Sequence, residues 1–186
     1  MKKLIIISIV LLFNCTTSWS QNERLTYIKN TDNGKTLPDF KLLNANGEET
    51  SFHKIKANLI VIDIWATWCG PCKRQAPAYD ALREEFDEKE VMFLSISRDE
   101  IQKTWMSYLK KKKKKNDWHY WVGKDIEHPI EQLTYYQFEK EGVKYTAQGV
   151  PRYILVDANY KIIERNLPKP DIGLKERIKK ELLNSK

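Results

Sequence analysis

Val61-Ile62-Asp63-Ile64-Trp65-Ala66-Thr67-Trp68-Cys69-Gly70-Pro71-Cys72 is an apolar run that ends abruptly in two cysteines separated by Gly-Pro. Residues 58–66, apolar from Leu59 onward except for Asp63, have the pattern of a central strand covered on both faces. A strand that stops at a cysteine and passes into a helix puts that sulfur at the helix N-terminus. Unpaired N–H groups and the helix dipole there favour a thiolate. Cys69 is therefore the expected reactive sulfur, with its pKa lowered by position. Cys72 follows one turn later on the same face and can close a disulfide with it. Pro71, early in the helix, removes a donor that had no partner there.

Two nearby cysteines can also be a plain structural staple. A loop this short removes little unfolded-state entropy when closed, and Gly-Pro at a strand-to-helix junction suits exchange, so the redox reading is the stronger.

Trp68-Cys69-Gly70-Pro71-Cys72 resembles the active-site sequence of the thioredoxin-like family. Pro77 stands where that family has its helix-bending proline, and Asp63, six residues before Cys69, where it has its buried acid. Val150-Pro151, followed by the strand-like Tyr153-Ile154-Leu155-Val156-Asp157, is similar to its cis-proline loop. Leu37-Pro38-Asp39-Phe40 ahead of a hairpin-like segment, a secretory leader and a long insert before the cis-proline resemble the TlpA/ResA branch, extracytoplasmic thiol-disulfide oxidoreductases.

The resemblance implies an α/β thioredoxin-like fold, a central mixed sheet flanked by helices, with an N-terminal hairpin extension and an insert before the cis-proline. It implies Cys69, Cys72 and Asp63 as catalytic residues, and Trp68, Gly70, Pro71, Val150 and Pro151 as the surface that meets substrate. The redox-active Cys69–Cys72 disulfide takes the place of a cofactor. Disulfide-containing proteins are the expected substrates, and a membrane-embedded thiol carrier the expected electron donor. Two positions depart from the family: Gln75 replaces a glutamate common in this branch, and Ser95 stands where thioredoxin has the lysine that pairs with its buried acid.

Met1-Lys2-Lys3 and the apolar Leu4 to Phe13 read as a signal peptide over residues 1–20, too short to span a bilayer. Ser18-Trp19-Ser20 offers small residues for cleavage before Gln21. A lipid-carrying Cys15 is the rival reading, but Phe13 and Asn14 are bulky for a lipobox. Residues 21–36 are polar and read as a flexible segment, and residues 37–186 as one domain. The expected location is exported, periplasmic or otherwise extracytoplasmic, and soluble once the leader is removed.

Phe40 to Leu43 and Thr50 to Phe52 read as a hairpin lid on the sheet edge, turned at Gly47. Cys69 to about Phe86 is the expected active-site helix and Val91 to Ser97 the next, parallel strand. Asp99 is the expected cap of a helix running through Trp105 and Leu109. Residues 116–149 form the insert. Tyr153 to Val156 pairs with Lys161 to Glu164, and Leu174, Ile178 and Leu182 share a final helical face.

The protein carries a net charge of +7, and its sharpest local bias is Lys110 to Lys115 with aromatics around it. A solvated helix end, where cations complement the dipole, is the plain reading. Docking to anionic lipid or to an acidic partner is the alternative. Nucleic acid binding fits poorly with a secretory leader. His53, His119 and His128 are scattered, and with a single cysteine pair they do not make the paired ligand spacing of a structural zinc site, so no metal is expected. Two other functions are carried forward. A peroxiredoxin-like peroxidase would place its cysteine behind Pro-x-x-x-Thr-x-x, whereas here Thr67 precedes Cys69 by only two residues. A non-enzymatic binding module using Lys110–Lys115 would survive loss of both cysteines.

Overall fold

The structure is a computed structural model that describes residues 33–114, 118–140 and 143–184. The expected leader and cleavage site, Cys15, residues 21–32 of the expected flexible segment, and Lys115 of the lysine run lie outside the described residues.

Strand β3 (Leu59–Trp65) is buried along its whole length. It runs parallel to β4 (Val91–Ser97) and antiparallel to β8 (Arg152–Asp157), so a continuous apolar strand finds partners on both sides. Period-two alternation then divides its side chains. Leu59 and Val61 face helix α1 (Gly70–Glu85) and the C-terminal helix α4 (Leu174–Asn184), packing with Tyr79, Leu82, Leu174 and Ile178. Ile60, Ile62 and Ile64 face the opposite layer, where Leu37, Phe40, Phe52, Ile130 and Leu133 close the core. Asp63 and Trp65 share the parity of Val61, which places both beneath the first turn of α1.

With β1 (Lys41–Asn44), β2 (Glu49–Ser51), β5 (His119–Trp121) and β9 (Ile162–Glu164), the full sheet has the order β2-β1-β5-β4-β3-β8-β9. The expected hairpin is β1 and β2, with Gly47 at φ +85°, a conformation that favours glycine. It lies at the sheet edge, β1 pairing antiparallel with β5. At the other edge β9 pairs with β8. Gly34 donates to Ile162 O and Lys35 O accepts from Ile162 N, so the docked chain begins ahead of residue 37.

Three features were not expected. The insert contributes a central-sheet strand, since β5 pairs parallel with β4. It then forms a short helix α3 (Pro129–Gln132) and a separate two-stranded hairpin of β6 (Tyr135–Lys140) and β7 (Val143–Gln148). The neck of that hairpin is closed by Gly149 N donating to Thr134 O at 3.0 Å. Finally, Asp99 does not cap helix α2 (Gln102–Lys112), whose N-cap is Ile101. Asp99 is taken up by the active-site loop instead.

Candidate active site

Residues 66–68 form the turn between β3 and α1. Asp99 holds it, accepting from Thr67 N at 2.9 Å, Thr67 Oγ1 at 2.7 Å and Ser97 Oγ at 2.7 Å. Its own carbonyl accepts from Trp121 Nε1 at 2.6 Å. A buried carboxylate with this many donors is a rigid anchor, and it fixes the chain immediately before Cys69.

Cys69 is the N-cap of α1, its sulfur accepting from Cys72 N at 3.1 Å, and Pro71 lies in the first turn as expected. The two cysteines form a disulfide with Cα atoms 5.3 Å apart. Val150–Pro151 is a cis peptide bond, and Val150 O stands 3.6 Å from Cys69 Sγ. In this oxidised state Cys69 is only 3% exposed, less open than its position at the end of a strand suggested, because the Val150 carbonyl and its own helix turn cover it. Trp68 is 62% exposed, whereas Trp65 is buried against Tyr108. The Arg98 guanidinium lies 5.8 Å from the Trp68 ring and is ion-paired to Glu131, both buried. Glu131 also accepts from Gln148 Nε2 at 2.7 Å, which ties the insert to the rim of the site.

Beside Pro71 and the cis-proline runs a groove of about 660 Å³ rimmed by Arg74, Arg152, Glu164 and Lys169. Gln75, at the position of the family's glutamate, donates to Asp171 at 2.9 Å.

Beneath Cys72 lies a small cavity, about 20 Å³ of space for a water-sized sphere, which is room for about one water. Asp63 borders it, with Oδ1 buried and without a partner among the described residues. Burial pushes the Asp63 carboxyl well above its usual range; Asp80 pushes the same way and Lys114 opposes. Asp63 is in register with Ser95, and Ser95 with His119. The positive charge absent at Ser95 thus arrives from elsewhere: Lys114, just past the end of α2, reaches the cavity and ion-pairs with Asp80. Within the lysine run, Lys110–Lys112 form the last turn of α2, and Lys113 ends it in a left-handed conformation.

Asp99, Glu131, Lys114 and His119 escaped the sequence reading. Each is delivered by a segment without periodicity: a loop, a four-residue helix, a lysine run and a three-residue strand. The other histidines lie apart from this cluster. His53 stacks on Tyr160, and His128 caps α3. Among the described residues no three His, Cys, Asp or Glu side chains are grouped as metal ligands.

A cysteine pair capping the helix that follows a central strand, set against a cis-proline peptide, is the arrangement of the thioredoxin-like thiol-disulfide oxidoreductases of the TlpA/ResA type. The chain belongs to the AhpC/TSA family, whose profile matches residues 33–165. Over 73 residues it is 36% identical to thioredoxin-like protein YneN of Bacillus subtilis, covering 37% of this chain and 43% of that one. Over 136 residues it is 23% identical to thiol-disulfide oxidoreductase ResA of Bacillus cereus, covering 71% of this chain and 68% of that one. A solved structure from Bacteroides vulgatus, provisionally described as a thiol-disulfide oxidoreductase, is 30% identical with a TM-score of 0.63, covering 80% of this chain and 89% of that one. A thiol:disulfide interchange protein from a Bacteroides species has the same fold, with a TM-score of 0.65 at 20% identity over 83% of this chain and 92% of that one.

Proposed function

We propose that this protein is an extracytoplasmic thiol-disulfide oxidoreductase that reduces disulfides in exported proteins. The observation that carries the reading is the placement of Cys69 Sγ at the N-terminus of α1, next to Val150 O, with Cys72 behind it over Asp63. In the reduced protein the Cys69 thiolate attacks one sulfur of a substrate disulfide and the other substrate sulfur leaves as a thiolate. Cys72 then gives up its proton to Asp63 and attacks Cys69 Sγ. The second substrate thiol is released and the Cys69–Cys72 disulfide forms. Two electrons pass from the dithiol to the substrate. Exposed Trp68, with Gly70, Pro71, Val150 and Pro151, forms the surface against which the substrate chain lies. A membrane-embedded thiol carrier restores the dithiol. Export is supported by the charged start and short apolar run at residues 1–13.

Trapping tests the reading. Cys72→Ser should accumulate a mixed disulfide with an exported substrate, and Cys69→Ser should not. The reverse pattern overturns the assignment of the two sulfurs. Peroxide turnover by the wild type without any disulfide substrate would favour the peroxidase reading instead. Titration of the Cys69–Cys72 couple against a dithiothreitol buffer gives the direction: a potential in the range of strong oxidants would overturn the reducing role.

A further inference from the structure

His119 is buried, and neither ring nitrogen has a hydrogen-bond partner among the described residues. Asp63 Oδ1 is in the same condition. Both residues border the cavity under Cys72. An unmet buried polar atom costs about 1–3 kcal/mol, so several around one void need a common partner. The void holds about one water, and a buried water makes about two to four hydrogen bonds. Asp63, Ser95 and His119 stand side by side across β3, β4 and β5. Two strand spacings separate Asp63 from His119, roughly 10 Å at the backbone. The short Ser95 side chain between them leaves the space open.

We propose that His119 is a positioning residue for the Cys72 step: its neutral imidazole and Asp63 Oδ1 hold one water beneath Cys72, and that water carries the thiol proton to Asp63. This rests on the reading of Cys72 as the resolving sulfur. In the step, the water takes the proton from Cys72 Sγ and passes one of its own to Asp63. Cys72 becomes a thiolate and Asp63 a carboxylic acid; the water and the imidazole emerge unchanged. His119 accepts the water's remaining O–H through its unprotonated nitrogen. The groups that face His119 are consistent with a neutral ring. Asp63 comes from β3, Lys73, Asp80 and Arg83 from α1, Tyr108 from α2, and Lys114 from just beyond it. Tyr79, also on α1, is already committed to Val61 O and Leu94 O, each at 2.9 Å. Lys114 and Arg83 both disfavour a second proton on the ring, as does burial. The ring is thereby favoured as a neutral acceptor.

The test is stopped-flow resolution of a preformed mixed disulfide on the full chain, across pH, in His119→Leu and His119→Gln. The leucine variant should be slower by roughly tenfold or more at pH values where Asp63 is ionised and Cys72 is not, and converge on wild type at alkaline pH, where Cys72 ionises unaided. The glutamine variant keeps an acceptor and should retain most of the rate. Equal slowing at every pH, equal slowing in both variants, or no slowing would each overturn the proposal. A second measurement does not depend on the variants folding. The ring nitrogens of wild-type His119, followed by 15N NMR, should report a neutral ring, one nitrogen protonated and one not, whose shifts move as Asp63 titrates, and Asp63→Asn should abolish the movement. A ring that takes up a proton itself, or shifts that ignore Asp63, overturns the idea. If Asp63→Asn slows resolution while His119→Leu does not, this inference falls alone; if the wild type reduces no disulfide, the underlying reading falls with it.

Discussion

Asp63 and His119 make opposite demands on stability as pH changes. Folding raises the Asp63 carboxyl, so the unfolded chain releases that proton first and stability falls as pH rises above the ordinary carboxylate range toward the folded value. His119 is lowered from 6.5 to about 3, mainly by burial. The unfolded chain takes up that proton first, and stability falls as pH drops below 6.5 toward 3. At one pKa unit per roughly 1.4 kcal/mol, the histidine costs up to about 5 kcal/mol as pH falls toward 3, and in mildly acidic solution the carboxyl offsets part of it. Urea unfolding at a series of pH values should therefore show Asp63→Asn losing stability toward acid more steeply than wild type. His119→Gln should lose less, and parallel curves for all three would refute the linkage. At neutral pH Asp63→Asn should be as stable as wild type or more so, since a costly buried charge has gone. Asp63 was legible in the sequence because it is the sole ionisable residue in an apolar strand. His119 was not, because a three-residue strand has no period to display, and Lys114 was hidden among identical neighbours.

At the level of elements, long periodic segments announced themselves. β3, α1, β4, the β8–β9 pair and α4 all lie close to where alternation and spacing placed them. Asp99 shows why a local rule failed. A carboxylate ahead of a helix is a cap by propensity, but here three donors on the Thr67 turn and Ser97 outcompete one helix N–H. Asp99→Ala should accordingly cost about 1–3 kcal/mol by leaving buried donors unmet, and should also slow attack by Cys69 because the preceding turn is released. Denaturation and single-turnover kinetics on the same variant would check both; a stability loss with an unchanged rate would restrict Asp99 to a scaffold role. Helix α3 presents a sharper case. Glu131→Gln leaves the buried Arg98 guanidinium without its countercharge, an expected loss of about 3–5 kcal/mol, whereas an exposed pair such as Lys41–Glu49 should cost under about 1 kcal/mol to break. Equal losses at the two sites would mean that burial does not govern them.

Across the whole molecule, the sheet keeps its redox chemistry at one end of its central strand and its additions at the margins. The N-terminal hairpin extends one edge through β1 and β5, and residues 34–36 cover the other through β9. Both additions lie outside the parallel β3–α1–β4 unit that carries Cys69, Cys72 and Asp63. The β6–β7 hairpin goes further, since Thr134 and Gly149 meet across one hydrogen bond at its base. Its strands belong to no other sheet. Replacing residues 135–148 with a short glycine-containing turn should therefore leave the melting transition cooperative, with a loss of about 1–3 kcal/mol from contacts such as Gln148 to Glu131 and Arg152 over Tyr136. A collapse of cooperativity in the calorimeter would show that the hairpin is part of the folding unit. With its two ends already joined, this hairpin is an exchangeable module on a fixed chassis. Recombination or design can swap it for another sequence without reopening the solution that places two sulfurs over one acid.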